Sequence, residues 1–205
     1  MGIAERKERE KEDMRKLILN AARKLFLEQG YEKTSIRGIA DAIEYSPATI
    51  YLYYKDKNEL LFALHEDAFL KMMQELGQVR SIHDPFARLL EMGHQYIKYA
   101  IENPELYDLM FIMKAPMETL ACREEIWEDG LKAFGFLKEV ITDCVNAGYF
   151  KNKNIEISAL TIWSYMHGLV SIYLKNRMTM FQDGQELQGM QQSFVLFTSM
   201  LRESL

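Results

Sequence analysis

Apolar residues recur at spacings of three and four along nearly the whole chain, the pattern of amphipathic α-helices. Met14, Leu17, Ile18, Ala21, Ala22, Leu25 and Phe26 make the first stripe, and Gly30 stops it, as a glycine just past a helix end commonly does by taking the left-handed conformation. Thr34 or Ser35 is placed to cap a short second helix carrying Ile36, Ile39, Ala40 and Ile43, because a hydroxyl accepts from the free amides of a first turn. Ser46-Pro47 opens a third helix, again short, over Pro47 to Tyr53. Proline suits a first-turn position, where its missing N–H costs nothing. Asp56 and Glu59 give a capping-box start to a long helix bearing Leu60, Leu61, Leu64, Ala68, Phe69, Met72 and Leu76.

Beyond a loop at Ser81 to Asp84, Asp84-Pro85 begins a helix that runs to Asn103-Pro104, and short helical material follows to Ala115-Pro116. A long helix is expected over about Leu120 to Ala147, ending at Gly148. The last two run from about Ile155 to Arg177 and from Glu186 to Arg202, separated by the turn-rich Gln182-Asp183-Gly184. No segment alternates with period two, and no internal repeat or low-complexity tract stands out. The expected fold is all-α, with about nine helices: an N-terminal three-helix domain and a larger C-terminal helical domain that meet in the long helix near residues 56 to 80.

Composition narrows the class. The 205 residues are 48% hydrophobic and 27% charged, too apolar for disorder and enough for the core of one or two domains. Four prolines and 11 glycines are too few for a turn-dense β-sandwich or barrel. No uncharged apolar window reaches the ~18 residues of a transmembrane helix. The start, MGIAERKEREKEDMRK, lacks the apolar stretch of a signal peptide, and Arg6 stands where N-myristoylation wants Ser or Thr. A soluble, cytoplasmic protein is expected. Cys122 and Cys144, each alone in an apolar helical stretch, read as buried reduced thiols or, alternatively, as a redox sensor. The net charge of −5 hides an asymmetry: residues 1–60 hold 12 Lys+Arg against 11 Asp+Glu, and the remaining 145 hold 13 against 19. A near-neutral front on an acidic body fits two jobs on one chain.

The informative segment is Thr34 to Leu61. Two short helices joined by a tight turn, with a longer helix behind, make a helix-turn-helix, and a short exposed helix suits the DNA major groove. At helical spacing Ile50 points inward, while Ala48, Thr49, Leu52 and Tyr53 can face outward. Ala48 permits close approach, Thr49 and the tyrosine hydroxyls can reach phosphates or base edges, and Leu52 can touch a thymine methyl. Tyr51 and Tyr54 either pack the hairpin core or join that surface. Lys55 and Lys57 at the start of the long helix, and Thr34, Ser35 and Arg37 at the start of the second, are placed to take phosphates on either side of the groove. Upstream, Ala4 to Lys16 alternates acids and bases at helical spacing, which reads as a solvated helical extension or as a basic arm directed at DNA.

The run TSIRGIADAIEYSPATIYLYYKDKNELL, preceded by ILNAARKLFLEQGYEKT, resembles the DNA-binding segment of the TetR family of transcriptional regulators over about residues 14 to 65. The resemblance implies a homodimeric repressor with a three-helix DNA-binding domain and a variable helical C-terminal domain that binds an inducer and dimerises. By position, Thr34, Ser35, Ser46, Thr49, Tyr51, Tyr53 and Lys57 match residues that contact DNA or frame the recognition helix in that family. The chain departs from the pattern at three places: Glu44 replaces the turn glycine, Pro47 a frequent basic residue and Leu52 a frequent histidine. These changes lower the positive charge, so a modest salt dependence of DNA binding is expected. The domain limits read as 1–56 for DNA binding and 57–205 for ligand binding and dimerisation.

The back two thirds are acidic and rich in methionine and aromatic residues. Trp163-Ser164-Tyr165-Met166-His167-Gly168 is similar to the Trp-x-x-x-His-Gly signature of one C-terminal subgroup of the family. Ser164, Gly168 and Ser171 give a small-residue face that lets a partner helix approach. Ile162, Met166, Leu169 and Tyr173 on one terminal helix, and Leu187, Phe194, Phe197 and Leu201 on the other, form apolar stripes for a four-helix dimer interface. Dimerisation is what a palindromic operator requires. Met92, Tyr96, Tyr99, Tyr107, Phe111, Met113, Trp127, Phe134 and Trp163 are either ordinary core or the wall of an adaptable apolar pocket, with His94 and His167 as polar anchors. The expected ligand is a small apolar or amphipathic molecule. Neither a cofactor nor a metal is expected.

Catalysis is not expected. Glu91-Met92-Gly93-His94 is a single E-x-x-H, where a di-iron bundle needs two such motifs and two more glutamates, and no nucleophile elbow, P-loop or dinucleotide fingerprint is present. A second class remains: a helical small-molecule-binding or adaptor protein that has lost specific DNA binding, favoured by the weak positive charge and the substituted turn. The sign of regulation, repressor or activator, depends on operator placement and is not in the sequence.

Overall fold

The computed structural model describes residues 2–114, 116–118, 127–150, 154–181 and 184–203. Among these there are nine α-helices and no strand: α1 Ile3–Gln29, α2 Ile36–Ala42, α3 Pro47–Tyr51, α4 Lys57–Leu76, α5 Pro85–Glu102, α6 Pro104–Tyr107, α7 Glu128–Asn146, α8 Ile155–Leu174 and α9 Glu186–Glu203. A 3₁₀ turn, Gly77–Ser81, follows α4, and a π-helical turn, Asp108–Ile112, follows α6. The expected long helix before Gly148 is described from Glu128 on; its first part, with Cys122, lies outside the described residues. By contacts the chain divides into two units, Met1–Ala68 with Asp108–Trp127, and Phe69–Tyr107 with Glu128–Leu205. The division falls inside the long helix α4.

In the first unit the apolar stripe of α1 becomes the core. Ile18, Ala22 and Phe26 are buried there, with Ile39 and Ala40 of α2, Ile50 of α3 and Leu60, Leu61 and Leu64 of α4. The caps explain why helices as short as α2 and α3 begin where they do. Ser35 Oγ accepts from the Gly38 amide at 3.0 Å, and Ser46 Oγ accepts from the Thr49 amide at 3.3 Å, with Pro47 in the first turn. At the start of α4 the expected box is offset by one residue. Asp56 Oδ1 accepts from the Glu59 amide at 2.8 Å, while the Glu59 carboxylate reaches back to the amide of Lys55 instead of Asp56.

Three helices end in the same way. After α2, Tyr45 N donates to Ala40 O and Glu44 N to Asp41 O; after α8, Arg177 N donates to Ile172 O and Asn176 N to Tyr173 O; after α7, Tyr149 N donates to Cys144 O and Gly148 N to Val145 O. This is the Schellman arrangement, which needs one residue in the left-handed conformation. That residue is Gly148 at φ 94°, Asn176 at φ 52° and Glu44 at φ 60°. Glycine and asparagine adopt it readily; a glutamate there costs about 1 kcal/mol. Glu44→Gly is therefore expected to raise the midpoint of thermal unfolding of the first unit, by about 0.5–1 kcal/mol in stability. Glu44→Ala, which keeps a Cβ, should give much less; equal gains from both would point to charge instead of backbone strain.

The second unit packs α5 against α7 and α8, and α8 against α9. Tyr99 of α5, Val140, Ile141 and Cys144 of α7, Ala159 and Val170 of α8 and Met190 of α9 are fully or almost fully buried. Arg88 and Asp143 pair at 2.6 Å between α5 and α7. The Arg80 guanidinium grips Glu139 with two bonds, 2.6 and 3.0 Å, and holds that carboxyl below its usual range. Burial pushes the Cys144 thiol up to about 12, which makes it an inert core group and disfavours the redox reading for this cysteine.

Gly93 on α5 meets the ring of Phe194 on α9: a Cβ added there would stand 2.5 Å from Phe194 Cζ. Glycine-to-alanine in a helix interior normally stabilises by about 1 kcal/mol. Gly93→Ala is instead expected to cost about 1–3 kcal/mol by overpacking, with Phe194→Leu in the same chain restoring most of it in urea unfolding. A more stable Gly93→Ala protein would sink this account.

Helix α8 is apolar on both sides. Its inner stripe is Ala159, Ile162, Met166, Leu169 and Val170, whereas Ile157, Leu160 and Ile172 are exposed. This corrects two expectations. Ile162, Met166 and Leu169, with Phe194 of α9, belong to the core of the unit instead of an exposed face, because α5 and α7 need that stripe. And α8, with an 18-residue window of mean hydropathy 1.3, is long and apolar enough to cross a membrane by length and composition alone; apolar residues on both its buried and its exposed faces contribute to that value.

Candidate DNA-binding and ligand-binding sites

The α2–α3 corner sets the first candidate site. Ile50 is fully buried and fixes the roll of α3, which leaves Tyr51 57% and Leu52 79% exposed, Ala48 exposed and Thr49 and Tyr53 half-buried. Helix α3 ends at Tyr51, two residues earlier than expected, with Leu52 as its C-terminal cap. Of the two tyrosines left open by the sequence, Tyr51 lies on the surface and Tyr54 in the core. Burial pushes the Tyr54 phenol up to about 12, against the field of Arg15. Ser35, Arg37, Ser46 and Lys55 are exposed around the same corner, and the Ser46 hydroxyl also meets that of Thr49 at 3.1 Å.

Two residues expected at the DNA stand elsewhere. Thr34 is 2% exposed, and its hydroxyl donates to the Gly30 carbonyl at 2.9 Å, closing the link between α1 and α2; it is a framing residue without a free face. Lys57 is half-buried, its ammonium donating to the Tyr31 carbonyl at 2.9 Å and lying 4.1 Å from the centre of the Tyr31 ring. The Tyr31 hydroxyl in turn bonds Asn58. This clamp between the α1–α2 loop and the start of α4 was missed in the sequence, although an aromatic one residue after the helix-stopping glycine was its visible signal.

The second candidate site lies in the second unit around His167 of α8. Its Nδ1 is 3.1 Å from the Tyr96 hydroxyl and 2.9 Å from that of Tyr107. The Tyr107 hydroxyl also reaches Ser171 Oγ at 3.1 Å. Trp163 meets the imidazole edge-on at 4.8 Å between centroids, and Phe134 tilts against Trp163 at 5.6 Å. The structure thus joins Tyr96, Tyr107, Phe134, Trp163 and His167, adds Ser171, and puts Met92 in the core one turn before Tyr96. Burial lowers the His167 pKa to about 4 and raises that of Tyr96 well above its ordinary value, so the cluster is neutral near pH 7. Phe111 and Trp127 are half-buried and fall in the first unit. His94 is not an anchor of the cluster: it is exposed, edge-on to Phe194 at 4.8 Å, in a groove of about 220 Å³ with Lys98 and Leu187. Its neighbour Glu91 accepts from the Gln95 side chain at 2.7 Å, and no metal-competent cluster exists among the described residues.

Residues 18–64 match the family of bacterial regulatory proteins, tetR family, and residues 89–190 match the tetracyclin repressor-like C-terminal domain. The chain is 25% identical over 187 residues to the HTH-type transcriptional regulator YhgD of Bacillus subtilis (strain 168), covering 90% of this chain and 95% of that one. It is 25% identical over 183 residues to the probable acrEF/envCD operon repressor of Escherichia coli (strain K12), covering 85% and 82%. A crystal structure of a TetR transcription regulator from Haloarcula marismortui superposes with a TM-score of 0.73 at 24% identity, over 92% of this chain and 97% of that one, which shows the shared fold. These relatives regulate transcription and are not enzymes. The chain belongs to the TetR family of transcriptional regulators.

Proposed function

We propose that the protein is a ligand-responsive repressor that binds a palindromic operator as a homodimer and is released by a small apolar or amphipathic inducer. The α2–α3 corner carries this reading: two hydroxyl-capped helices, one inward isoleucine and an outward surface of Ala48, Thr49, Tyr51 and Leu52. Helix α3 enters the major groove, where Ala48 allows close approach, Thr49, Tyr51 and Tyr53 reach phosphates or base edges, and Leu52 meets a thymine methyl. Ser35, Arg37, Ser46 and Lys55 take phosphates; Thr34 and Lys57 act by holding the corner. One relative is named a probable operon repressor, which favours repression. The work divides near residue 56, the ligand-binding and dimerising part following it, and the protein acts in the cytoplasm with its DNA.

The dimer is formed by α8 and α9 through their exposed apolar residues, among which Leu187 alone comes from the stripes first expected. Ile157, Leu160 and Ile172 of α8 and Leu187, Val195, Leu196 and Met200 of α9 are 40–62% exposed, too much apolar surface to leave bare. A Cβ on Gly168 would meet nothing within 4 Å, so a partner helix has room beside it. The inducer is an apolar or aromatic body with a neutral hydrogen-bonding head, since the Tyr96–Tyr107–His167 cluster offers hydroxyls, an uncharged imidazole and the faces of Trp163 and Phe134. Its preference for the DNA-free state sets the loss of operator affinity, about 1–3 kcal/mol for such couplings.

The test is selection of random duplex DNA by the purified ligand-free protein at two salt concentrations, with its mass in solution measured alongside. Enrichment of one palindrome with half-sites about a helical turn apart, roughly 34 Å, by a dimer is expected. A dimer that enriches nothing at either salt would favour the ligand-binding protein without DNA specificity.

A further inference from the structure

The N-terminal stretch of α1 carries a basic edge that neither the core nor the recognition surface uses. Helix α1 is 27 residues long, and its buried stripe reaches back only to Ile18, with Met14 half-buried. Followed toward the N-terminus at helical spacing, the same face passes through Arg15 to Lys11 and Lys7, all three exposed. The face that packs the unit turns basic where it runs clear of it.

That edge starts beside the recognition corner. The Tyr54 hydroxyl, just past α3, lies in the fields of Arg15 and Glu12, so this part of α1 lies within electrostatic reach of the residue that follows Tyr53 and precedes Lys55. From Arg15, Lys11 and Lys7 lie about 6 and 12 Å farther along the helix axis. Spacing adds a second argument. Lys7, Lys11 and Arg15 repeat at i, i+4, where like charges repel by about 0.2–0.5 kcal/mol per pair. Elsewhere on α1 the same spacing is used for attraction: Arg6 pairs with Glu10 at 2.7 Å, and Lys24 with Glu28 at 3.9 Å. Among the described residues none of the three cations on the edge takes an ion pair. A merely solvated helix gains nothing from lining up repelling cations on one side; a helix laid along a row of phosphates does.

We infer that Lys7, Lys11 and Arg15 form a phosphate-contacting rail that extends the DNA footprint beyond the helix-turn-helix. This rests on the DNA-binding reading above and adds a sequence-independent share of affinity, because contacts to phosphate position the protein without reading bases.

The test compares wild-type protein, Lys7→Ala/Lys11→Ala and Arg6→Ala/Lys24→Ala for binding to sheared genomic duplex DNA across a salt series. The last pair removes the same charge from another side of the same helix. Lys7→Ala/Lys11→Ala is expected to flatten the slope of log affinity against log salt by about 2, at roughly 0.9 per phosphate lost. The advantage of wild type then shrinks about tenfold between 50 and 200 mM salt. The control pair should keep the wild-type slope. Binding with unchanged slope in Lys7→Ala/Lys11→Ala, or equal flattening in the control, overturns the rail and leaves the DNA-binding reading standing. No binding by wild type at the lowest salt overturns both.

Discussion

Ile50→Ala is expected to lower the stability of the first unit by about 3 kcal/mol, within the 2–5 kcal/mol typical of large-to-small changes in a packed core, and to abolish DNA binding with it. Ile50 is wholly buried and is the one buried side chain of α3, so its truncation leaves a cavity under a five-residue helix that has no stability of its own. Leu52, two positions away and 79% exposed, sets the contrast. Leu52→Ala should leave stability within about 0.5 kcal/mol and weaken operator binding by about 1 kcal/mol, roughly fivefold, through one lost apolar contact. Circular dichroism in urea and a DNA titration on both variants decide it. If Leu52→Ala unfolds the unit, or Ile50→Ala binds as wild type, the assigned roll of α3 is wrong.

The second large effect is on pH. The folded-state pKa of His167 is about 4 against an ordinary 6.5, because burial disfavours the charged ring. As pH falls below 6.5 the unfolded chain takes up this proton first, so the unfolded state binds more protons between 6.5 and 4 and stability falls across that window. Above 6.5 the contribution is complete; below 4 both states are protonated and it is gone. Full linkage gives at most about 3 kcal/mol, less with partial exposure of the ring. His167→Gln removes the titrating group while keeping hydrogen-bonding capacity toward Tyr96 and Tyr107. Urea unfolding of both proteins at about pH 7 and about pH 4 should show wild type losing about 2–3 kcal/mol more than the variant. Carboxylates elsewhere titrate alike in both and cancel. Equal losses would mean that His167 is hydrated and not held neutral by its surroundings.

Much of this molecule is legible in the chain because its signals are local. Gly30, Ser35, Ser46-Pro47 and Asp84-Pro85 mark helix ends through bonds that span three or four residues, and each cap forms as the sequence predicts. Ile50 inward and Leu52 outward follow from periodicity alone. What was not legible depends on partners distant in sequence. Nothing local says that the Thr34 hydroxyl turns back to Gly30, or that Lys57 is taken by Tyr31, 26 residues earlier. The faces of α8 could not be told apart for a related reason: with apolar residues all round, periodicity gives no direction, and only α5 and α7 decide that Ile162 is core while Leu160 is surface. Of the residues expected at the ligand site, the structure brings Tyr96, Tyr107, Phe134, Trp163 and His167 together as neighbours. His94 stands apart from them: two residues from both Met92 and Tyr96, it falls about 200° round α5, on the exposed side.

Glu44 in its left-handed turn has a genetic side. Both glutamate codons become glycine codons by one A-to-G change at the second base, so the residue that would relax the turn is a single transition away. A library of this gene screened only for heat resistance should return Glu44→Gly early and repeatedly. The same library screened for control of a promoter tests whether the wild-type glutamate is held there by what the corner does on DNA. The turn is then a marker for which of the two demands a given mutant population has been living under.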